Sequence, residues 1–250
     1  MPCVLMDILR ASPYYHTMDA GFFIDLLFPA ACAACGARIA RGALCGECRM
    51  AIVPHRTAFC GTCAAALPGM RSACHPRAPY VLGAAGNYRN PVLRTLIHAL
   101  KFGRVKAAAG TLGDVIAHYA ARLPIDLKGF SVIPVPIAKE RRRERGFNQA
   151  ELIAARVAEF FGLPIERDVL VRTAHRGPQS DIEDPAERRL NVRNCYAVLP
   201  RPGERTARAP GKVVLIDDVT TSGATFTESA TALRAAGTRK ILALAAAKSV

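Results

Sequence analysis

Residues 213–225 read Val-Val-Leu-Ile-Asp-Asp-Val-Thr-Thr-Ser-Gly-Ala-Thr, and this segment decides the fold. Its first four residues are continuously apolar, which is typical of a strand buried on both faces of a parallel sheet. Two acids, Asp217 and Asp218, come next, and a short loop of small and hydroxyl-bearing residues then leads into a predicted helix over 225–236. A buried strand, a loop and a helix in this order are typical of an α/β domain.

The loop after the two acids has the composition of an anion-binding site. Backbone N–H groups at the start of a helix attract phosphate, and Gly223 would let the backbone approach it closely. The residues expected to contact the phosphate are Thr220, Thr221, Ser222, Gly223, Ala224 and Thr225. Asp217 and Asp218 would repel a phosphate and suit sugar hydroxyls or Mg²⁺ instead. The combination therefore predicts a site for a ribose 5-phosphate.

Two alternatives remain for this segment. A strand that ends in acids also occurs in P-loop nucleotide hydrolases, but these need a GxxxxGK[ST] loop. The Gly-Lys pair at Gly211 and Lys212 is followed by Val213 and does not fit that motif, which makes nucleotide hydrolysis a weak hypothesis. The second alternative is a helix start capped by acids that binds no ligand.

The residues around this segment alternate between strand and helix patterns. Apolar spacing predicts the helices 91–100, 107–123, 149–161 and 225–236 and the strands 131–135, 169–171, 195–199, 213–216 and 241–246. This order predicts an α/β domain with a mainly parallel sheet, whose ligands bind at the carboxyl ends of the strands. The polar segment 172–194 is expected to be a solvated loop or a mobile cover over the site. The Pro/Arg-rich segment 200–211 is expected to be a surface loop.

Composition narrows the class of protein. The 250 residues are 51% hydrophobic and 22% charged, which is too apolar for a disordered chain. The net charge of +14 predicts an anionic partner such as phosphate groups, nucleic acid or an acidic membrane face. The apolar stretch 21–34 carries Asp25 and Pro29, is shorter than the roughly 20 residues of a membrane span, and lacks the basic start of a signal peptide. We therefore expect a cytoplasmic protein with a loose tail over 1–20.

Seven of the nine cysteines lie in a cluster near the N-terminus. Export is not indicated, so a disulfide framework is disfavoured. Two CxxC pairs can place four thiolates around one ion, and the pairs Cys32/Cys35 and Cys45/Cys48 predict such a site. Gly36 and Gly46 follow Cys35 and Cys45 and would relieve the strained turn of a zinc knuckle. Because protein ligands would fill every position, the predicted zinc is structural, and it would supply folding energy to a segment with few large apolar residues.

The next cysteines predict a second site whose fourth ligand is open. Cys60, Cys63 and Cys74 supply three ligands, and either His75 or His55 could complete the set. A degenerate knuckle that packs without metal is the alternative. The isolated Cys195 is expected to be a small buried side chain in a strand.

Several motifs together resemble one known family. Pro134-Val135-Pro136 and the later run Arg143-Glu144-Arg145-Gly146-Phe147-Asn148-Gln149 resemble the P-V-P…R-x-R-G-F-N-Q signature of the ComF (GntX-like) competence-associated family. The cysteine cluster resembles the double zinc ribbon of that family. The 217–225 segment resembles the phosphoribosyl-pyrophosphate motif of type I phosphoribosyltransferases. Segments at 100–102, 172–179 and 188–191 are similar to further parts of the family pattern, and the likeness covers about residues 21–250. The chain departs from the pattern in the fourth ligand of the second ribbon and in the insertion at 200–211.

The resemblance implies a fold and an activity. It implies a type I phosphoribosyltransferase-like domain over 81–250 behind a zinc-ribbon domain over 21–80, and a reaction at the ribose C1 in which pyrophosphate leaves, helped by Mg²⁺. Asp217 and Asp218 would hold the ribose hydroxyls as the catalytic pair. Arg matches phosphate oxygens, and the run 139–145 directly follows a strand end, so Arg141, Arg143 and Arg145, with Lys101, are expected to bind pyrophosphate. Whether turnover occurs, and on which acceptor, stays open.

The family name also implies a link to DNA uptake during transformation. Single-stranded DNA and competence helicase-type proteins are therefore candidate partners, in keeping with the basic charge. The competing hypothesis is a protein that handles single-stranded DNA or senses the ligand without turnover. None of the six His residues forms an evident catalytic group.

Overall fold

The computed structural model describes residues 30–70, 74–173, 195–200 and 203–249. The helices in these ranges are α1 (Gly46–Met50), α2 (Pro91–Lys101), α3 (Ala107–Ala120), α4 (Lys139–Arg145), α5 (Gln149–Phe161) and α6 (Ala224–Ala235). The strands are β1 (Ala58–Cys60), β2 (Ala66–Leu67), β3 (Val81–Asn87), β4 (Ser131–Pro134), β5 (Leu170–Arg172), β6 (Tyr196–Val198), β7 (Lys212–Thr220) and β8 (Lys240–Lys248).

A six-stranded sheet in the order β2-β1-β3-β8-β7-β4 organises the fold. Strands β3, β8, β7 and β4 are parallel, whereas β1 and β2 run antiparallel to their neighbours. Strands β5 and β6 form a separate antiparallel pair. The prediction of a mixed α/β fold with a mainly parallel sheet is confirmed, and the carboxyl ends of its four parallel strands meet at one edge.

Strand β7 is buried on both faces. Val214 and Ile216 pack into one core with α2, α3 and α5, and Val213 and Leu215 pack into a second core with α6 and the β5–β6 pair. Successive side chains of a strand point to opposite faces, so odd-numbered residues of β7 face α6 and even-numbered ones face α2. The same alternation continues into the acids at the end of the strand.

The cysteine-rich region is joined to the central sheet. Strand β1 pairs with β3 in a register that sets Phe59 opposite Leu82 and Cys60 opposite Val81. Buried Cys32 and Leu44 belong to the same core as α2 and α3. The predicted boundary near residue 80 therefore falls within a continuous sheet, and the division into two domains stays a prediction.

Several elements differ from the sequence-based expectation. Strand β3 and the β1–β2 hairpin were not expected, because the first is rich in small residues and the second lies among the cysteine knuckles. The basic run over 139–145 forms helix α4. Strand β7 continues to Thr220, so the acids lie inside the strand and do not follow its end.

Some expectations fall outside the described residues. They concern the loose tail at 1–20, residues 174–194 of the expected cover, and 201–202 of the Pro/Arg-rich loop. Cys195, which directly precedes β6, is buried as expected. Among the described helices, none combines the length and the apolar composition needed to cross a bilayer.

Candidate functional site

The two acids of β7 point to opposite faces of the sheet. Asp218 is 6% exposed and faces α2, where Lys101 Nζ lies 3.0 Å from its Oδ1 atom. Asp217 faces the β5 side, and its Oδ1 accepts a hydrogen bond from the backbone N–H of Asp218 at 2.8 Å. Burial, together with the adjacent Asp218 carboxylate, raises the pKa of Asp217 to about 7, although Lys101 and Arg172 act in the opposite direction. Lys101, which was expected to bind pyrophosphate, thus lies at the acids, and its role in ligand binding stays a prediction.

The loop after β7 is open to solvent. Thr221 and Ser222 are exposed, and Gly223 adopts the left-handed conformation with φ +74° before α6 begins at Ala224. Gly223 offers no side chain to cap α6, so the first N–H groups of the helix face the loop. Because Thr221 and Ser222 are exposed, the outer side of this turn is accessible to solvent.

The hydroxyl groups of the loop are not equivalent. Thr220 is buried, which makes its side chain the least accessible of the expected phosphate contacts. Ser222 Oγ accepts a long hydrogen bond from the N–H of Ala224 at 3.4 Å. Burial raises the pKa of Tyr196 on β6, and the nearby hydroxyl of Thr225, which is half-buried, opposes this rise. Thr221 and Ser222 are therefore the loop hydroxyls best placed for a ligand.

Of the three arginines expected to bind pyrophosphate, Arg145 is the least exposed. It is partly buried at the end of α4, where burial and Arg141 lower its pKa and the charge of Asp218 opposes them. Arg141 and Arg143 are exposed on α4. The helix ends at Gly146, whose φ of +80° turns the chain toward α5.

The structure places Arg172, the first residue of the expected cover, where its charge affects Asp217, and it adds Tyr80, which sequence reasoning did not assign to the site. Arg172, at the end of β5, carries a positive charge that partly opposes the rise which burial causes in the pKa of Asp217. Its guanidinium lies 5.8 Å from the ring centre of Tyr196. Tyr80, which directly precedes β3, reaches the phosphate loop with its hydroxyl group. An isolated tyrosine 143 residues before its partner carries no sequence signal.

A cavity of about 320 Å³ lies beside the carboxyl end of β4. Its wall includes basic side chains from α4, the β5 strand and the segment before it, namely Lys139, Arg142, Arg167 and Arg172. Arg142 pairs with Glu151 through contacts of 3.3 and 3.4 Å. Because Arg172 lines this cavity and also affects the pKa of Asp217, the cavity lies on the Asp217 side of the site.

The first cysteine cluster has the geometry of a zinc site. Ligand atoms of Cys32, Cys35, Cys45 and Cys48 all lie within 4.8 Å of one another. The Sγ atoms of Cys35 and Cys45 are 3.7 Å apart, close to the roughly 3.8 Å edge of a tetrahedron with Zn–S bonds of about 2.3 Å. Gly36 has a φ of +75°, as a knuckle turn requires, whereas Gly46 begins α1 without a positive φ. The conformational role expected for Gly46 is therefore wrong.

The second cluster is completed by His75. Its Nδ1 atom lies 3.5 Å from Cys60 Sγ and 3.3 Å from Cys74 Sγ, and the four groups Cys60, Cys63, Cys74 and His75 lie within 4.8 Å of one another. The alternative ligand, His55, instead contacts the carbonyl of Ala84 through Nδ1 at 3.0 Å.

In each cluster one thiol ionises readily and another is held neutral by its neighbours. Burial opposes ionisation of Cys32 and Cys60, but backbone N–H groups outweigh it and lower the pKa of each to about 6. Neighbouring cysteines raise the pKa of Cys48 and Cys74 to about 12. A metal ion that binds all four ligands must offset this mutual repulsion, which suits structural Zn²⁺.

Comparison with known proteins supports the zinc-ribbon assignment. Residues 23–76 match the double zinc ribbon domain family. The chain is 27% identical over 213 residues to Competence protein F of Haemophilus influenzae, covering 84% of this chain and 86% of that protein. It is 27% identical to the DNA utilization protein YhgH of Salmonella typhi, covering 75% of this chain and 88% of that protein. The solved structure of TT1426 from Thermus thermophilus is similar at 18% identity with a TM-score of 0.31, covering 57% of this chain and 81% of that one.

The resemblance seen in the motifs is thus confirmed. The chain is similar to Competence protein F and to the YhgH proteins over most of its length, and its N-terminal region matches a double zinc ribbon. The cysteine clusters and the ribbon match together support structural Zn²⁺.

Proposed function

We propose that this chain binds phosphoribosyl pyrophosphate with Mg²⁺ at the carboxyl edge of the sheet, as a type I phosphoribosyltransferase-like protein with a role in DNA uptake. One observation carries the proposal. Strand β7 leads the paired acids, one of them neutralised by Lys101, directly into an open turn at the start of α6. The turn suits a terminal phosphate, and the acids beside it suit the hydroxyl groups of a sugar.

The charged groups divide between the two ends of such a ligand. The amides of 222–225 would hold the 5′-phosphate, and Asp218 and Asp217 would accept hydrogen bonds from ribose hydroxyls. Lys101 and Arg145 would face the pyrophosphate. Mg²⁺ prefers one or two carboxylates together with substrate phosphates, and Asp217 is the carboxylate not engaged by Lys101 at hydrogen-bond distance.

The same arrangement supports pyrophosphate release from C1. The departing group gains negative charge, which fixed cations stabilise, while the acids stabilise positive charge on the ribose ring. Magnesium would supply further charge neutralisation to the leaving group. The cavity beside Arg172 is the nearest described space for an acceptor, whose identity we do not assign.

Isothermal titration with phosphoribosyl pyrophosphate and Mg²⁺ tests this proposal. Wild-type protein should bind in the micromolar range, and Asp217→Asn/Asp218→Asn should lose that binding. Glu159→Gln is the matched control, because Glu159 forms a surface ion pair with Arg156 on α5. Absence of heat with the wild type would show that the ligand assignment is wrong.

The link to DNA uptake comes from the homologues. They are named Competence protein F and DNA utilization protein, and the similarity covers most of each protein. A deletion of the gene should lower transformation or the use of external DNA, and complementation with Asp217→Asn/Asp218→Asn would show whether the sugar-phosphate site is required. Competence helicase-type partners stay a prediction.

A second candidate function is the handling of single-stranded DNA, and an exposed aromatic favours it. Phe102 is 69% exposed just after α2, and the guanidinium of Arg145 lies 5.6 Å from its ring centre. Two further exposed cations follow Phe102 in the chain. Arg104 donates from Nη2 to the carbonyl of Glu144, and Lys106 lies 5.7 Å from the ring centre of Phe147. Exposed aromatics among cations are the usual platform for stacked bases.

Anisotropy of a labelled oligo-dT at several salt concentrations tests this candidate. Phe102→Ala should weaken binding by about tenfold, since stacking contributes about 1–3 kcal/mol per base. Phe160→Ala is the control, because Phe160 is an exposed ring that contacts His118 on another surface. Equal affinities for the two variants would exclude this surface.

A further inference from the structure

We propose that Tyr80 is a positioning residue that connects the second zinc site to the phosphate loop, so that the integrity of that zinc site sets the order of the loop and its affinity for a phosphoryl group. The choice of ligand rests on the proposed function. The connection itself rests on packing that the structure shows. Tyr80 acts through the backbone of the knuckle and of the loop, so its role is indirect.

Tyr80 contacts the phosphate loop from the buried side of the loop. It is 3% exposed, and its hydroxyl donates to the carbonyl of Gly223 at 3.3 Å and lies 3.4 Å from the hydroxyl of Thr227. Its ring packs against Phe226 with centroids 5.9 Å apart. A Cβ placed on Gly223 would lie 2.9 Å from the Tyr80 hydroxyl, so loop and ring are already in close contact. The position of this buried ring therefore limits where the loop amides can be.

The other side of Tyr80 meets the second zinc knuckle. Gly61 lies between the ligands Cys60 and Cys63, and a Cβ placed on it would overlap the carbonyl oxygen of Tyr80 and lie 2.9 Å from its ring. Cys60 is also held opposite Val81 in the sheet. The knuckle thus packs on the backbone and on the ring of Tyr80 at once.

The segment before Tyr80 is fixed at both ends. It begins at the zinc ligand His75, and the carbonyl of Pro79 accepts a hydrogen bond of 2.7 Å from Arg234 Nε on α6. Helix α6 is the helix whose first turn forms the phosphate site. Loss of metal from the second cluster would release His75 and Cys60, and the displacement would reach Gly223 through one buried side chain. The first cluster makes no such contact with the loop among the described residues.

Paired glycine variants test the connection. Gly46 and Gly61 each follow the first cysteine of a CxxC pair, but a Cβ on Gly46 meets nothing within 4 Å. Hydrogen exchange by mass spectrometry on peptides spanning 218–226 should show exchange at least about threefold faster in Gly61→Ala and unchanged in Gly46→Ala. Zinc content is measured on the same samples. Unchanged loop exchange in Gly61→Ala would overturn the proposal.

A second pair of variants isolates the hydroxyl group. Tyr80→Phe keeps the ring but loses the bond to Gly223, and should speed loop exchange and weaken binding of phosphoribosyl pyrophosphate by about five- to tenfold. Tyr119→Phe is the control, because this buried hydroxyl donates to the carbonyl of Thr57 and not to the loop.

The two readouts separate the two proposals. If the wild type binds no phosphoribosyl pyrophosphate, the proposed function fails, and loop exchange alone decides the role of Tyr80. If the wild type binds but Tyr80→Phe matches Tyr119→Phe in affinity and in loop exchange, the role of Tyr80 is wrong while the ligand assignment stands.

Discussion

Gly223→Ala should destabilise the protein by an amount that the structure separates into two parts. The φ of +74° at Gly223 lies in the left-handed region, where a Cβ costs about 1–2 kcal/mol. The new methyl group would also lie 2.9 Å from the Tyr80 hydroxyl, and overpacking of this kind in a buried site costs about 1–3 kcal/mol. The expected loss of unfolding free energy is therefore about 2–5 kcal/mol.

Two further variants isolate these parts. Gly162→Ala carries only the backbone term, because Gly162 has a φ of +62° and a Cβ there meets nothing within 4 Å. Tyr80→Phe should cost about 1 kcal/mol for the lost hydrogen bond, but it removes the oxygen atom that the methyl group of Gly223→Ala would meet. The double variant should therefore be less destabilised than the sum of the single variants, by about 1–2 kcal/mol.

Urea unfolding at a fixed zinc concentration, followed by circular dichroism, measures the free energy of unfolding of the wild type and of the four variants. The m-values must agree among the variants for the comparison to hold. Two results would refute the reasoning. One is a Gly223→Ala variant no less stable than Gly162→Ala, and the other is strict additivity with Tyr80→Phe.

Three other perturbations have defined outcomes. Burial raises the pKa of Asp217 from 3.8 to about 7, so ionisation favours the unfolded state and stability declines as the pH rises from about 4 to about 7. The stability of Asp217→Asn relative to wild type should therefore increase across this range and level off above it, as measured by thermal unfolding. Ala64 has a φ of +58° at the position that Gly36 occupies in the first knuckle, so Ala64→Gly should stabilise the protein by about 1 kcal/mol and Gly36→Ala should destabilise it similarly in urea titrations. Metal analysis should find two zinc ions per chain, reduced to about one in His75→Ala but unchanged in His55→Ala.

The sequence predicted best those elements whose signals are local. Helix α5 has the predicted bounds, because Asn148 caps its start, where its side chain accepts from the N–H of Ala150, and Gly162 ends it with a positive φ. The first zinc site follows from spacing alone, since a CxxC pair fixes two ligands within one turn. The fourth ligand of the second site needed coordinates, because adjacency of His75 to Cys74 does not reveal which histidine turns inward.

What the sequence could not predict depends on contacts between distant residues. Strand β3 contains Gly83, Ala84, Ala85 and Gly86, and a run of such small residues is not typical of a strand. The segment is a strand because β8 and β1 pair with it on either side. The extension of β7 past Ile216 likewise follows from pairing, since Asp217 lies opposite Ala245 and Thr220 opposite Lys248. The sequence located the two acids, but it did not predict that they point to opposite faces of the sheet.

Because the ribbon packs against the central sheet, we expect zinc loss to affect the phosphate loop as well as the ribbon. A ribbon attached by a linker could lose its metal without altering a site elsewhere in the chain. Here β1 extends the central sheet beside β3. Tyr80, which directly precedes β3, donates a hydrogen bond to the carbonyl of Gly223 in the turn. Metal binding is folding free energy for a small cysteine-rich segment, so zinc loss removes order from the strand edge as well as from the knuckle. Zinc depletion should therefore lower affinity for phosphoribosyl pyrophosphate before the parallel sheet unfolds, and a titration in which both losses coincide would contradict this order of events.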